Sequence, residues 1–584
     1  MANRIFRLTR IDWRLALLIA CCQSFLSISE IPAQQPRQRG SEASGEFGVL
    51  VSGSQVASRA GLAMLEEGGN AVDAAVTSML VQSVLESRLF CFGSEVPIIV
   101  YDAKRDVVEV VAGLGAAPRL ATRQWFMEHR NGLIQGRGDI ANAVVPGFLD
   151  ACLTALSRYG TRTFARCAEP MIEVLRERAA MNVADVPRQL YQRDGSGSNA
   201  ADWLQHHQNF LQLMESLVAA EKAGRGDRLR GLRLVADYFY RGPVARALDA
   251  WSQANGGLLR YVDMAQHVTR IEEPTSVDFN GYTIYKCDVW TQGPYLLQTM
   301  KMLEGQDLVE LGLNSADYIH YVTETIKLAM ADRDAYFGDP HFVQVPLQQL
   351  LSNDYVTMRR KLVDMQVASM EQRAGNPRIG SPLLGKAPQD YEVTSGHGND
   401  TTSCLVADRW GNVVSATPSG WGGVYAGDTG IELGSRMIGL TTWQNHPSLV
   451  QPGKRPRITL TPTLVLRDGK PIMAVSVAGG DQQDQTSIQV LLNHLVFGME
   501  PLAAVMTDRF GTDHHINWFG HDRAKLGSLT VSRDLPQSEL KSLESRGHKL
   551  QLGRPAASAV ILTIDQDRGI KRAAGQPGRF ALGY

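Results

Sequence analysis

Three features of the chain predict a mixed α/β (α+β) fold: helical periodicity as far as Tyr336, a change to short β-branched runs after residue 401, and turn chemistry between those runs. Ser54 to Leu65 and Ala71 to Leu85 repeat their apolar residues helically, and Asn70, following Gly68-Gly69, is suited to cap the second helix. Helices continue through Ala143 to Arg178 and Trp203 to Ala250, with the loop-forming run Gln192 to Asn199 between them, and another covers Ser315 to Tyr336. The polar, Gly- and Asp-rich stretch 381 to 400 reads as a connector. Strands then occupy 401 to 407 and 413 to 417 around the turn cluster Asp408-Arg409-Trp410-Gly411-Asn412. Two more, 459 to 466 and 471 to 477, are joined by Arg467-Asp468-Gly469-Lys470 and precede a helix from about Gln485 to Phe497.

Composition narrows the function classes. Lys and Arg total 59 against 60 Asp and Glu, and no long basic tract occurs, so nothing points to a nucleic-acid partner. Arg4, Arg7, Arg10 and Arg14 precede the apolar run Leu15 to Cys22, the order of an export signal occupying residues 1–33. Ala33-Gln34 offers one cleavage point, whereas Leu18-Ile19-Ala20-Cys21 has the form of a lipoprotein box that would leave a lipid on Cys21. Residues 34–46, rich in Gln, Pro, Arg, Ser and Gly, read as a flexible leader, with order expected from Phe47. The remaining cysteines, at 91, 152, 167, 287 and 404, are widely spaced without a Cys-x-x-Cys pair, and the paired histidines at 206–207 and 514–515 lack the spacing of helical metal ligands. No metal or cofactor is implied.

The run Asp400-Thr401-Thr402 at the head of the first strand is the chemically suggestive feature. A threonine hydroxyl is a weak nucleophile unless a base lies beside it, and a threonine freed at an N-terminus carries its own base, an α-amine with a reference pKa of about 8. From about Val49 to Tyr584 the chain resembles the γ-glutamyltransferase family of N-terminal-nucleophile hydrolases. The resemblance is carried in order by Glu67-Gly68-Gly69-Asn70-Ala71-Val72-Asp73-Ala74-Ala75, Val145-Pro146-Gly147, Asn255-Gly256-Gly257-Leu258, Gly338-Asp339-Pro340, Asp400-Thr401-Thr402, Leu460-Thr461-Pro462-Thr463 and Gly479-Gly480. It implies a four-layer αββα sandwich and cleavage between Asp400 and Thr401 into a large subunit, 47–400, and a small one, 401–584, which remain together as a heterodimer.

Residue by residue, the resemblance makes Thr401 the nucleophile, Thr417 and Ser419 the two hydroxyl positions of the second hairpin strand, and Gly479-Gly480 the oxyanion hole. Ser419 is the one expected to bond the nucleophile. Thr459 stands where the family has one of two substrate-contacting serines, the other being Ile458, and Asp481 and Gln482 are either a solvated helix start or substrate contacts. Elsewhere the pattern departs. The arginine that grips a γ-glutamyl α-carboxylate is replaced by Leu114, and the aspartate that grips its α-amine by Gly439. Trp421 replaces a donor-contacting asparagine, Arg436 an often-found glutamine, and Phe92-Gly93-Ser94-Glu95-Val96 a glycine-rich run. Arg119, Arg123 and Arg436 are candidates to compensate. The expected activity is therefore amide hydrolysis or acyl transfer from a small-molecule amide or peptide to water or an amine, with a donor other than a standard γ-glutamyl amide. Ordinary glutathione cleavage and an inactive scaffold are the alternatives.

Overall fold

The computed structural model describes residues 39–584 except 135, 137, 192–198, 378–400, 421–423 and 519–522. The export signal with Cys21, most of the Gln192 to Asn199 loop, the 381–400 connector, Asp400 and Trp421 therefore lie outside the described residues.

The strands, in chain order, are β1 (Ser41–Gly45), β2 (Val49–Ser52), β3 (Val96–Asp102), β4 (Val107–Gly113), β5 (Arg270–Glu272), β6 (Thr275–Phe279), β7 (Tyr282–Lys286), β8 (Cys404–Ala407) and β9 (Val413–Ala416). They continue with β10 (Val424–Tyr425), β11 (Glu432–Leu433), β12 (Thr463–Arg467), β13 (Lys470–Ala478), β14 (Ser528–Val531), β15 (Lys549–Leu552), β16 (Ser558–Asp565), β17 (Ile570–Gly575) and β18 (Phe580–Gly583). One seven-stranded antiparallel sheet runs β1-β17-β16-β13-β12-β7-β6 and the other β18-β2-β8-β9-β3-β4-β5. Both mix strands from before and after residue 401, so each half of the chain completes the other's sheets.

Three apolar clusters build the layers. Strand residues alternate between faces, and in β8 both faces are buried: Leu405 and Ala407 join the layer between the sheets with Leu464, Ala474 and Leu562, while Cys404 and Val406 meet the helix Ala71–Leu85. That helix is buried along nearly its whole length, and Asn70 begins it through a capping box with Asp73. On the outer face of the other sheet, helices Gly293–Leu303, Ala316–Tyr336 and Gln482–Leu495 pack Leu297, Val322 and Leu491 against Val475 and Ile561. The result is helix, sheet, sheet, helix.

Two expectations are corrected. Ser41–Gly45, within the stretch read as a flexible leader, forms β1 and pairs in register from Ser41↔Gly575 to Gly45↔Lys571. An edge strand is held by backbone bonds, which its polar composition does not reveal. Thr459 to Pro462 is not ladder strand: Ile458 exchanges bonds with Trp290 O and Gln292 N–H, and β12 starts only after Pro462, which has no N–H to give.

Candidate active site

The hairpin β8–β9 is fastened by Asp408, whose carboxylate accepts from the N–H groups of Trp410, Asn412 and Ala71 at 2.9 Å. The last of these ties the hairpin turn to the start of the helix Ala71–Leu85. At the other end of β8, Thr401 is 1% exposed, and its backbone N–H donates to Leu89 O at 3.1 Å. Its φ of 111° is unusual for a β-branched residue. Thr402, the adjacent hydroxyl, is already enclosed: it accepts from Gln82 Nε2 and Arg579 Nη1 and donates to Glu86. Only Thr401 of the pair faces a constellation that could assist a reaction.

Thr401 Oγ1 donates to Ser419 Oγ at 3.1 Å. Ser419 and Glu95 form a two-way backbone bridge, and Arg436 Nη2 donates to Ser419 Oγ at 2.8 Å while its guanidinium pairs with the Glu95 carboxylate. Both side chains are buried, and the Trp518 ring lies 5.0 Å from the guanidinium.

The opposite wall is the turn between β13 and the helix Gln482–Leu495. Gly479 and Gly480 have φ of 141° and 55°, and a Cβ on Gly479 would lie 2.4 Å from Ala556 O, so this turn needs glycine. Their carbonyls close the turn with the N–H groups of Gln482 and Gln483; among the described residues their own N–H groups meet no protein acceptor. Gln483 reaches Thr401. One orientation of its amide donates to Thr401 Oγ1 at 3.3 Å, while the swapped orientation donates to Val477 O at 3.0 Å and Thr459 O at 2.8 Å. Two good bonds outweigh one long one, so Oε1, not the amide nitrogen, faces Thr401 Oγ1, whose single proton goes to Ser419.

Asp481 is neither solvated nor directed at Thr401. It pairs with Arg333 at 2.6 Å and accepts from Trp518 N–H at 2.8 Å. Burial pulls its carboxyl up, but Arg333 and His515 outweigh that and hold it well below the usual range. Gln482 turns toward Thr512 O and Asp513. One turn on, Asp484 and Lys286 form a fully buried pair, the lysine also bonding Thr461 and Thr463; burial lowers the lysine's pKa and raises the aspartate's.

The remaining sequence candidates separate. Thr417 Oγ1 meets Ser476 Oγ at 2.9 Å and links the two sheets. Thr459 is fully buried, with its carbonyl held by Gln483. Leu114 belongs to the apolar layer that also contains Ile438, Ile458 and Trp518, and a Cβ on Gly439 would lie 2.7 Å from Trp518 Cζ2. Arg119 reaches Gln266 at the surface and Arg123 bonds Thr442 O, so of the three compensating arginines only Arg436 is at the site. Glu95, Gln483 and Trp518 are the site residues that sequence reading missed; Glu95 stood in the 92–96 run already marked as a departure and Gln483 directly follows the Asp481-Gln482 pair, whereas nothing local marked Trp518.

The five cysteines among the described residues are buried without forming a disulfide, and burial pushes the Cys167 and Cys404 thiols up to about 12. His320, Glu324 and His548 could in principle gather a metal ion, but the Glu324 oxygens are held by Lys327, Arg373 and Ser369 N–H.

The Gamma-glutamyltranspeptidase family profile matches residues 57–579. The chain belongs to that family. It is 29% identical to the glutathione hydrolase proenzyme of Bacillus subtilis (strain 168), over 92% of this chain and 91% of that one. It is also 29% identical to the acylase ACY 1 proenzyme of Pseudomonas sp. (strain SE83), over 87% and 88%. Among solved structures, that of LmbA2991HD superposes with a TM-score of 0.82 at 32% identity, covering 94% of this chain and all of the other. The protein is thus an enzyme of the γ-glutamyltranspeptidase family, with the family's N-terminal-nucleophile hydrolase fold. Its relatives include both glutathione hydrolases and acylases, so family membership alone does not select the donor.

Proposed function

We propose that this family member is exported, cuts itself between Asp400 and Thr401, and then uses Thr401 to cleave or transfer the acyl group of amides other than standard γ-glutamyl donors. The observation that carries the reading is Thr401 itself: a buried, β-branched residue at φ 111° with its hydroxyl against Ser419 and Gln483. Backbone in that region costs on the order of 1–3 kcal/mol, which scission of the preceding bond would release. The export signal 1–33 would be removed, and the chains 34–400, which includes β1, and 401–584 would stay joined through their shared sheets.

In the mature enzyme the Oγ1 proton passes to the α-amine as the oxygen bonds to the donor carbonyl carbon. The carbonyl electron pair moves onto its oxygen, where the N–H groups of Gly479 and Gly480 can receive it. Collapse of this intermediate breaks the C–N bond, and the ammonium returns its proton to the leaving amine. Water or a second amine then repeats the sequence on the Thr401 ester and restores the hydroxyl.

The donor reading rests on Leu114 and Gly439. A zwitterion placed there would meet a leucine and Trp518 in place of two charged partners, and losing two charge-assisted contacts costs about 2–5 kcal/mol each. The names of the glutathione hydrolase relatives support the second reading, ordinary glutathione cleavage. Chromogenic anilides bearing γ-glutamyl, glutaryl and neutral acyl groups separate the two: kcat/KM is expected to be lowest for γ-glutamyl. Glutathione and γ-glutamyl anilide turnover that dominates the panel overturns the donor reading. An N-terminus other than Thr401 on the smaller fragment overturns the nucleophile.

A further inference from the structure

We propose that Glu95 and Arg436 form a charge-balanced positioning pair that acts on the nucleophile through Ser419, a proposal that rests on Thr401 being that nucleophile. The guanidinium can only donate, so Ser419 Oγ receives Arg436 Nη2–H at 2.8 Å and the Thr401 hydroxyl at 3.1 Å on the same oxygen. Arg436 is fixed on three sides: by the Glu95 carboxylate, by Ser419 and by the face of Trp518. Glu95 is in turn fixed by the backbone bridge that Ser419 itself makes, with N–H to O distances of 3.3 and 3.1 Å. The two charges and the hydroxyl form one closed unit. Moving any member rotates the acceptor that sets the direction of the Thr401 hydroxyl.

Balance matters as much as position. An isolated buried cation near the Thr401 α-amine would disfavour its protonated form, and an isolated anion would favour it. Paired, the two nearly cancel, leaving the amine's titration to its other neighbours. Among the described residues those include Glu86 with Arg579, reached through Thr402; Arg88, exposed beside Leu89; and Asp481 with Arg333, Arg457 and His515, behind Gln483. The pair is a positioning device, distinct from the groups that touch the donor.

Labelling of matured enzyme by phenylmethylsulfonyl fluoride tests this without knowledge of the donor. Thr401 Oγ1 attacks sulfur, fluoride leaves, the α-amine takes the proton, and intact mass gives the rate across pH. Arg436→Gln is expected to slow the plateau rate about tenfold and move the acid limb to higher pH, by about half a pH unit, because Glu95 is left uncompensated. Glu95→Gln should move the limb the other way. In a Ser419→Ala background, Arg436→Gln should slow the plateau no further. Limbs that move together or not at all, or an undiminished Arg436→Gln effect without Ser419, overturn the proposal. Should the glutamine variants fail to mature, Arg436→Lys is expected to keep the limb in place while slowing the plateau several-fold; an unchanged plateau refutes the positioning role. Equal labelling of Thr401→Ala would instead defeat the nucleophile assignment.

Discussion

Around Thr401, polar groups from distant parts of the chain converge: Ser419 at 3.1 Å, Arg436 behind it, Gln483 opposite and the Gly479-Gly480 turn alongside. At Leu114 and Gly439, where the resemblance would place the groups that read an amino acid's charges, the same protein has no charge: Leu114 packs with Ile438 and Ile458 at the edge of a cavity that Arg119, His341 and Arg455 also line, and Trp518 is seated on the glycine. On the proposed reading the two tasks rest on different parts of the scaffold. The chemical groups depend largely on backbone: a strand terminus, a two-glycine turn and a bridge between paired strands. On the same reading, recognition falls to side chains at the edge of the interlayer core, which can be exchanged for packing without disturbing the hairpin.

Thr401→Ala is the strongest test of the contrast. It should abolish both scission and labelling, with activity down at least about ten-thousandfold, since alanine has no hydroxyl to attack with and Thr402 is already enclosed; a denaturing gel and the labelling assay report both. Retained activity would erase the chemical side of the comparison.

Asp481→Asn probes what the first helical turn is for. It removes one of the two carboxylates that pair with buried Arg333, Asp334 remaining at 2.8 Å, and should cost about 1.5–3 kcal/mol in chemical denaturation. A neutral effect on stability combined with altered donor preference would return Asp481 to the recognition side.

Acidification provides a control remote from both. Burial, reinforced by nearby cationic groups, holds His514 and His548 to about 3, below the ordinary histidine value. Their contribution is complete above pH 6.5, the value in the unfolded chain, and is lost as pH falls from there toward 3. By pH 5 each should have given up about 2 kcal/mol. Melting at pH 7 and pH 5 checks this, and His548→Asn should flatten the dependence.

Gly439→Asp, with or without Leu114→Arg, should not restore glutathione recognition. Its Cβ must displace Trp518 or the Arg457 carbonyl, at a cost of about 1–3 kcal/mol in thermal denaturation. Glutathione turnover that rises sharply would show the pocket to be intact beneath the tryptophan. Smallest of all, Thr417→Val should cost about 1 kcal/mol or less and leave the labelling rate unchanged, because Ser476 keeps its bond to Ala416 O. A large rate loss would move Thr417 from the sheet interface into the site.

Much of this molecule was determined by the sequence alone. The helix Ala71–Leu85 and its Asn70 cap, the Ser315 start of the long helix, and the Asp468-Gly469 turn, with φ of 50° and 74°, follow from periodicity and local backbone preference, which act within a few residues. The ordered motifs also marked Thr401, Ser419 and the glycine pair. The tertiary structure decided the rest. It set Trp518 on Gly439, turned Asp481 inward to Arg333, and joined Glu95 to an arginine 341 residues away. Those choices depend on which buried charges and rings come to share one small volume once both sheets have closed, and no local preference carries that information.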